Sequence, residues 1–481
     1  MRLLLPRLLM LSGPVVLAFF SGGFGEQALL VALTAAALAL AWTALATPAR
    51  ELVPSSAAAR LAVGSLVLFA GWVALSTTWA PLGARARLDA ERAALYAIVL
   101  LAGTCLWRAR DAARQVEPAV ALGTLVVTAY GLAGRLLPGL VTQHPSASAG
   151  GRLDQPLTYW NAQGALAALG FVLCARLAGD RERSWAVRAA GAAGAAPLAA
   201  GVAMSFSRGA IVALAAGLIV LLVLAPTWTQ LRAVAICLEA GVAGTIACEI
   251  APAVRTLEGS SGTREWQGAA VLVVLLAAMA AGAALLTWAA RAEAAGTTRL
   301  GRLPLPSWAG AAATVVVCSL IVVPVAIGRG GDGPQFGATS QRLQTASSNR
   351  YAYWKVALQT FADHPLAGVG TGGYAVEWLE RRSIDDRVRD AHSLELETLA
   401  ELGLVGALLL AGALGGVALC ARRVQARDPG LAAGPVAALT VWAVHSAVDW
   451  DWELPALTLL AFTLASVLLA QAQAPAAPAR A

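Results

Sequence analysis

The feature that most constrains this chain is its division into apolar blocks of about 17–25 residues, separated by short stretches that carry arginine. A block of this length can cross the hydrocarbon core of a bilayer as a helix. Backbone groups in lipid must be hydrogen-bonded within the segment, and the alternating pattern of a membrane β-barrel is absent from the sequence. The pattern therefore predicts an all-α fold, a polytopic transmembrane helix bundle of about 14 helices, within a range of about 12–14.

Composition and charge support a membrane protein. Of the 481 residues, 58% are hydrophobic and only 13% are charged. A soluble domain has about a quarter of its residues charged, so a soluble helical protein is strongly disfavoured. The formal charge of +7 comes from basic residues spread through the loops. The positive-inside rule explains much of this charge, and no nucleic-acid partner is expected.

The predicted spans place the longest polar segment on the outer side of the membrane. With the N-terminus in the cytoplasm, most arginine-rich loops fall inside. Several arginines run against this bias, among them Arg85, Arg92, Arg152 and Arg208. Either the span count is wrong or these side chains serve another purpose. The spans lie near 5–20, 28–46, 57–75, 93–107, 116–134, 162–178, 185–204, 209–225, 232–251, 268–290, 307–328, 397–420, 431–447 and 454–472.

Three regions follow from this reading. Residues 1–328 form a transmembrane helix bundle, residues 329–396 an extracytoplasmic catalytic or lid loop, and residues 397–481 the C-terminal transmembrane helices. The loop begins after a glycine-rich linker at 328–334, and its apolar spacing predicts helices at about 349–362 and 374–389. A loop this long and this patterned is expected to be functional.

Few polar residues qualify for chemistry. Arg208 is either an interfacial arginine whose side chain reaches the headgroups or, as we favour, a cavity residue that binds an anion. His392 is either a general base or a surface histidine near a helix start, which Asp390 or Ser393 could cap. His445 and Asp449, spaced i, i+4, could pair on one helix face.

Other chemistries lack their motifs. The sequence contains no Walker A loop, no G-x-S-x-G elbow and no H-E-x-x-H helix. Its outer acidic residues show no obvious metal cluster, so we expect no metal site and no cofactor.

An ordered set of motifs is the most specific feature of the second half of the chain. It comprises Ser207-Arg208-Gly209-Ala210, the stretch 349–358, His364-Pro365 with the glycines up to Gly373, Ala391-His392-Ser393, and 401–406. A weaker stretch, with Gly151-Arg152-Leu153 and 156–162, precedes them. Together they resemble the O-antigen ligase and O-antigen polymerase family of bacterial polytopic membrane glycosyltransferases.

The resemblance implies a fold similar to the GT-C glycosyltransferases and a reaction in the cell envelope. It implies metal-independent transfer of a glycan from an undecaprenyl-pyrophosphate donor to an acceptor hydroxyl at the outer (periplasmic) face of the bacterial inner membrane. By position, Arg208 and Arg350 would bind the pyrophosphate and His392 would activate the acceptor, and these three form the catalytic set. Arg152, Asn161 and Arg264 would contact the donor or its sugars.

The resemblance leaves the acceptor open. A ligase transfers to a lipopolysaccharide core, another lipid or a protein, whereas a polymerase transfers to another glycan repeat. Ser393 stands where many relatives have asparagine, and a serine can still cap the helix start. The alternative function is a transporter or flippase for a polysaccharide or lipid-linked glycan, which would predict internal repeats and charges at the membrane midplane.

Overall fold

The computed structural model of the protein describes residues 2–295, 301–306, 308–327, 338 and 348–473. The predicted linker at 328–334 and the first part of the predicted outer loop lie outside these residues. The described part of the chain forms helices and no strands.

The helices are numbered in chain order. They are α1 Leu4–Ala18, α2 Glu26–Ala46, α3 Ala49–Leu52, α4 Ala57–Ser76, α5 Gly83–Leu106, α6 Arg110–Arg114, α7 Val116–Leu136, α8 Trp160–Gly179, α9 Trp185–Met204, α10 Arg208–Leu224, α11 Trp228–Glu249, α12 Pro252–Thr256, α13 Ser261–Ala294, α14 Ala309–Ile327, α15 Arg350–Asp363, α16 Tyr374–Arg381, α17 Leu394–Arg427, α18 Pro429–Ser446 and α19 Pro455–Gln471.

The helical bundle predicted from the apolar blocks is confirmed. Each predicted span coincides with one of these helices. Within the described residues, eight helices are both long and apolar enough to cross a membrane, and α1, α10 and α19 are shorter apolar helices. The chain is therefore a polytopic, multi-pass membrane protein.

Contacts divide the chain into two compact units. Unit 1 comprises Met1–Val116, Ser348–Ala432 and Ser446–Ala481, and unit 2 comprises Glu117–Ser347 and Ala433–His445. The predicted boundaries at 328/329 and 396/397 stay a prediction.

Small residues set the close packing within each unit. In unit 1, α4 packs along α17, and Gly416 of α17 lies against the backbone of Ala62. In unit 2, α9 contacts α8, α11 and α13. A Cβ on Gly191 of α9 would lie 2.7 Å from the carbonyl oxygen of Cys174, and one on Gly244 of α11 2.9 Å from that of Ala196. Glycine permits such backbone approach, which is how helices associate in lipid.

A glycine also breaks α17 near its start. Gly403 has φ +63° and ψ −161°, a conformation suited to glycine. The break leaves backbone carbonyls without a partner inside the helix, and a loop supplies their hydrogen bonds. The carbonyl of Ala400 accepts from the amide of Val369 at 3.1 Å, and that of Glu401 accepts from the amide of Gly370 at 2.8 Å. The glycine-rich turn of the predicted outer loop is thereby fixed to the membrane helix.

The described part of the predicted outer loop has its own small core. Tyr353, Val356 and Ala357 of α15 pack with Tyr374 and Trp378 of α16. The predicted first helix is confirmed at Arg350–Asp363. The second ends at Arg381 and not at residue 389, because the chain turns back so that the Asp386 carbonyl can accept from the Trp378 indole, at 2.8 Å.

Candidate active site

His392 lies in unit 1, directly before α17, and is held through both its ring and its backbone. Its Nδ1 lies 3.0 Å from the carbonyl oxygen of Asp390. Because a carbonyl oxygen only accepts, this hydrogen bond requires a proton on Nδ1, and in the neutral ring the lone pair is then on Nε2. The His392 carbonyl accepts from the Trp354 indole at 3.3 Å. This tautomer leaves Nε2 suited to accept a proton.

The backbone of His392 is itself unusual. Its φ is +54°, a left-handed conformation that residues with a side chain rarely adopt. Ser393 follows and caps α17, its Oγ accepting from the Leu396 amide at 3.4 Å. Of the two predicted caps, Ser393 is confirmed, and Asp390 instead binds the histidine ring through its backbone. Such conformations persist where the surroundings hold them.

Aromatic rings flank the histidine. The Tyr353 ring centroid lies 5.2 Å from that of His392, and the Trp450 centroid lies 6.4 Å away. The Tyr353 hydroxyl donates to Asp386 at 2.5 Å, and the Asn349 amide donates to the same carboxylate at 2.8 Å. Burial would raise the pKa of Asp386, but these hydrogen bonds outweigh it and hold the pKa below its usual range.

Arg350 is the first residue of α15 and forms an ion pair with Asp449, with 2.5 Å between guanidinium nitrogen and carboxylate oxygen. The Asp449 side chain is 1% exposed and the Arg350 side chain 20% exposed. Because α18 ends at Ser446, Asp449 lies beyond the helix that carries His445 and the two residues share no helix face; their pairing stays a prediction. His445 belongs to unit 2, where its Nε2 lies 3.4 Å from the Ser207 hydroxyl.

An ionic network contacts the backbone turn that carries His392. Arg85 of α5 pairs with the Asp390 carboxylate, and Arg92 pairs with Asp89 and Glu453. The Glu397 carboxylate accepts from the Ala391 amide at 2.8 Å. The turn is thus held on one side by an arginine and on the other by a carboxylate of α17.

These contacts explain two of the arginines that run against the positive-inside bias. Arg85 and Arg92 neutralise carboxylates on the loop and on the 449–453 turn. At the opposite end of α5, Arg108 pairs with Glu51, and Arg110 pairs with Asp428. Within unit 1, these two sets of ion pairs lie at opposite ends of α5. This agrees with the predicted division of the loops into two groups, one at each end of the helices.

Three carboxylates of this network come close enough to be compared with a metal site. Ligand atoms of Asp390, Glu397 and Glu453 lie within 4.8 Å of one another. Distant segments bring these three carboxylates together, and the expected absence of a metal site stays a prediction. Burial is the main cause that raises the pKa of Glu453, to about 8, with Arg92 opposing it. The two arginines already balance much of this acidity, which favours an ion-pair network.

Arg208 lies in unit 2 and begins α10. Ser207 caps this helix, its Oγ accepting from the Ala210 amide at 3.2 Å. The preceding Phe206 is fully buried with φ +49°, so the turn that presents Arg208 is tightly held. The helix dipole repels a cation at a helix N-terminus. An anion bound there is stabilised by the dipole and by the Arg208 side chain.

Arg152 and Asn161 are buried in unit 2 and make local contacts. The Arg152 guanidinium donates to the carbonyls of Ala149 and Ser148, at 2.5 and 2.8 Å, and lies 3.6 Å over the Trp160 ring. The Asn161 amide donates to the Tyr159 hydroxyl at 2.7 Å. These contacts shape the loop before α8, and a role in substrate binding stays a prediction for both residues.

Arg264 lines a polar cavity of about 320 Å³ in unit 2. Arg135, Gln143 and Asp154 line the same cavity. Arg135 is bound to backbone carbonyls, including that of Gly151 at 2.7 Å. The predicted substrate residues are therefore distributed: Arg350 and His392 belong to unit 1, and Arg152, Asn161, Arg208 and Arg264 belong to unit 2.

Residue patterns alone did not find Asp449, Asp390 or Asp386 as partners of the candidate site. A signal for Asp390 was the predicted outer position of Arg85, which the positive-inside rule does not explain. Asp449 and Asp386 are distant in sequence from the groups they bind, and nothing local indicates those pairs.

Comparison with known proteins finds one family match. The model of the family described as O-antigen ligase matches residues 193–411. This chain carries the O-antigen ligase family region. The matched region includes Arg208, Arg264, Arg350 and His392, whereas Arg152 and Asn161 precede it. No curated protein matches the chain at a significant level.

The family match confirms the resemblance found in the sequence. Together with the multi-pass helical bundle, the match supports a membrane glycosyltransferase-like function that uses a lipid-linked glycan donor and an acceptor.

Proposed function

We propose that the protein transfers a glycan from undecaprenyl pyrophosphate to an acceptor hydroxyl without a metal, at the outer face of the bacterial inner membrane. The observation that carries this proposal is the His392 ring, whose Nδ1 is bound to the Asp390 carbonyl and whose Nε2 can accept a proton. The family match over the segment that contains His392 supplies the reaction class.

His392 acts as the general base. Its Nε2 takes the proton of the acceptor hydroxyl while the acceptor oxygen forms a bond with the anomeric carbon. The bond between that carbon and the phosphate oxygen breaks, and undecaprenyl pyrophosphate leaves with the electron pair. The proton then passes from the imidazolium to solvent or to the leaving pyrophosphate.

Arg350 binds the pyrophosphate in this proposal. A guanidinium offers a planar fork of donors that matches phosphate oxygens and retains its charge at any relevant pH. Asp449 fixes one side of the fork. A positive group in this position stabilises the negative charge that collects on the leaving group in the transition state.

Arg208 is proposed as a second phosphate-binding arginine. Its place at the capped N-terminus of α10 adds backbone amides and the helix dipole to its own charge. Arg264, which lines a polar cavity, and the buried Arg152 and Asn161 are proposed to contact or shape the site for the donor or its sugars. The 329–396 loop is proposed as the lid that limits access of water.

The test is transfer from an undecaprenyl-pyrophosphate glycan by the full-length protein in proteoliposomes, with EDTA present. We expect turnover to persist in EDTA and to fall by about 100-fold or more in Arg350→Ala, Arg208→Ala and His392→Ala. Wild-type turnover in all three variants would refute the site. A strict requirement for added Mg²⁺ or Mn²⁺ would instead refute the metal-independent mechanism.

A further inference from the structure

A second cavity, of about 1000 Å³, lies in unit 1 and is lined by five arginines. They come from the start of α5 and from the segment that follows α16. The arginines are Arg85, Arg92, Arg382, Arg387 and Arg389. Neither the family match nor the proposed transfer reaction assigns this cavity a ligand.

Only part of this positive charge is balanced by carboxylates. Arg85 pairs with Asp390, and Arg92 pairs with Glu453, in the ionic network next to His392. Arg382 pairs with Asp385 at 3.1 Å, but that aspartate side chain is 91% exposed, so the pair contributes little. Arg387 and Arg389 form no ion pair with any residue in the described part of the chain. Among the described residues, the guanidinium groups of Arg387 and Arg389 thus line the cavity without a carboxylate partner.

The lining also includes the carboxylates of Asp89 and Glu453, which pair with Arg92, and several apolar residues. Phe24, Leu82 and Leu379 line the same cavity, and Leu379 is 60% exposed, whereas Tyr374, Ala375 and Trp378 of the same helix are buried. Arginines beside exposed apolar side chains on a loop next to membrane helices suit a ligand that has a charged head and an apolar part.

We propose that this cavity binds the phosphate of an amphiphilic ligand, with Arg387 and Arg389 on the phosphate and Leu379 and Leu82 against its apolar part. Phosphate fits better than a single carboxylate, because several guanidinium forks can share its oxygens. The volume lies at the upper end of the range for ligand pockets, about 300–1000 Å³, which accommodates a headgroup with its attached sugars. The ligand is a membrane lipid with an anionic phosphate headgroup or a phosphorylated glycolipid.

Binding is measurable without any glycan transfer, so this proposal and the proposed function can fail separately. The full-length protein in neutral detergent is titrated with phosphatidylglycerol, and bound lipid is counted by native mass spectrometry. Arg387→Gln combined with Arg389→Gln is expected to weaken binding by roughly ten- to thirtyfold, the loss expected for two charges near a phosphate. Both side chains are exposed, so the fold is expected to survive.

The matched control is Arg422→Gln combined with Arg423→Gln, two adjacent exposed arginines at the other end of α17. The control should bind as the wild type does. A parallel titration with glucosamine 6-phosphate separates the two sources of the ligand: saturable binding that the Arg387/Arg389 variant loses indicates a sugar phosphate, and binding of phosphatidylglycerol alone indicates a lipid. Equal binding by the wild type and the Arg387/Arg389 variant, or an equal loss in the control, would overturn the proposal.

Discussion

At the scale of single residues, His392 carries the sharpest prediction. His392→Gln keeps a hydrogen-bonding side chain of similar reach but removes the basic nitrogen, so glycan transfer should fall by about 100-fold or more. His364→Gln is the matched control, because His364 is exposed at the end of α15. Turnover of purified variants in proteoliposomes measures both. Retention of transfer by His392→Gln would remove the histidine from the mechanism.

Variants of the Arg350–Asp449 pair distinguish a contribution to stability from a contribution to activity. Arg350→Gln leaves the Asp449 carboxylate buried with its guanidinium partner gone, which should cost roughly 2–3 kcal/mol, somewhat less than for a fully buried pair because Arg350 is partly exposed. Adding Asp449→Asn removes the buried charge and should restore much of the melting temperature. Transfer should stay low in the double variant, because the phosphate-binding fork is still missing.

Melting temperatures and turnover of the wild type, both single variants and the double variant check this prediction. If the double variant regained transfer together with stability, Arg350 would have a structural role only.

At this scale, the contacts that could be predicted from the sequence are those between residues close together along the chain. Ser393 as the cap of α17 could be predicted, since a cap and the amide it binds are three residues apart. Asp449 as the partner of Arg350 could not, because the two residues are 99 positions apart and only the folded chain joins them. The His392 tautomer likewise depends on a backbone carbonyl whose direction no residue pattern specifies.

At the scale of elements, the break in α17 holds the predicted outer loop against a membrane helix. Position 403 requires glycine for two reasons. Its backbone conformation suits glycine, and a Cβ there would overlap the carbonyl group of Leu366. Gly403→Ala should therefore lower the melting temperature by about 5 °C or more. It should also reduce transfer, since the break fixes the turn before α16.

Gly415→Ala in the same helix is the control. A Cβ at position 415 would meet no atom within 4 Å, and alanine favours the helix, so stability should be unchanged or slightly higher. Thermal unfolding in detergent compares the two variants. A Gly403→Ala protein as stable as Gly415→Ala would show that the break is not needed.

The sequence predicted where the helices lie better than how they are shaped. Apolar block length is a local property set by the bilayer, so each predicted span coincides with a helix. The break at Gly403 and the early end of α16 at Arg381 result from hydrogen bonds to distant segments. Glycines in 401–406 could be seen in the sequence, but not which of them would leave the helix.

At the scale of the whole molecule, the proposed sidedness gives a prediction that is independent of catalysis. Ser383 and Ala426 are both exposed, and they lie on either side of the long helix α17, one between α16 and α17 and the other near the end of α17. The topology predicted from arginine placement puts residue 383 outside and residue 426 in the cytoplasm. The opposite ends of α5 also carry separate ion pairs, with Asp390 and Glu453 at one end and Glu51 at the other.

Single cysteines at these positions should therefore react differently with a membrane-impermeant maleimide applied to intact spheroplasts. Ser383→Cys should be labelled at once, and Ala426→Cys only after the membrane is permeabilised. The five described native cysteines are buried and should give little background, which the unsubstituted protein measures directly. If residue 426 were labelled first, the active-site histidine would face the cytoplasm. A donor on the outer leaflet could then not reach it, and the proposed reaction would have to be abandoned even with every site residue in place.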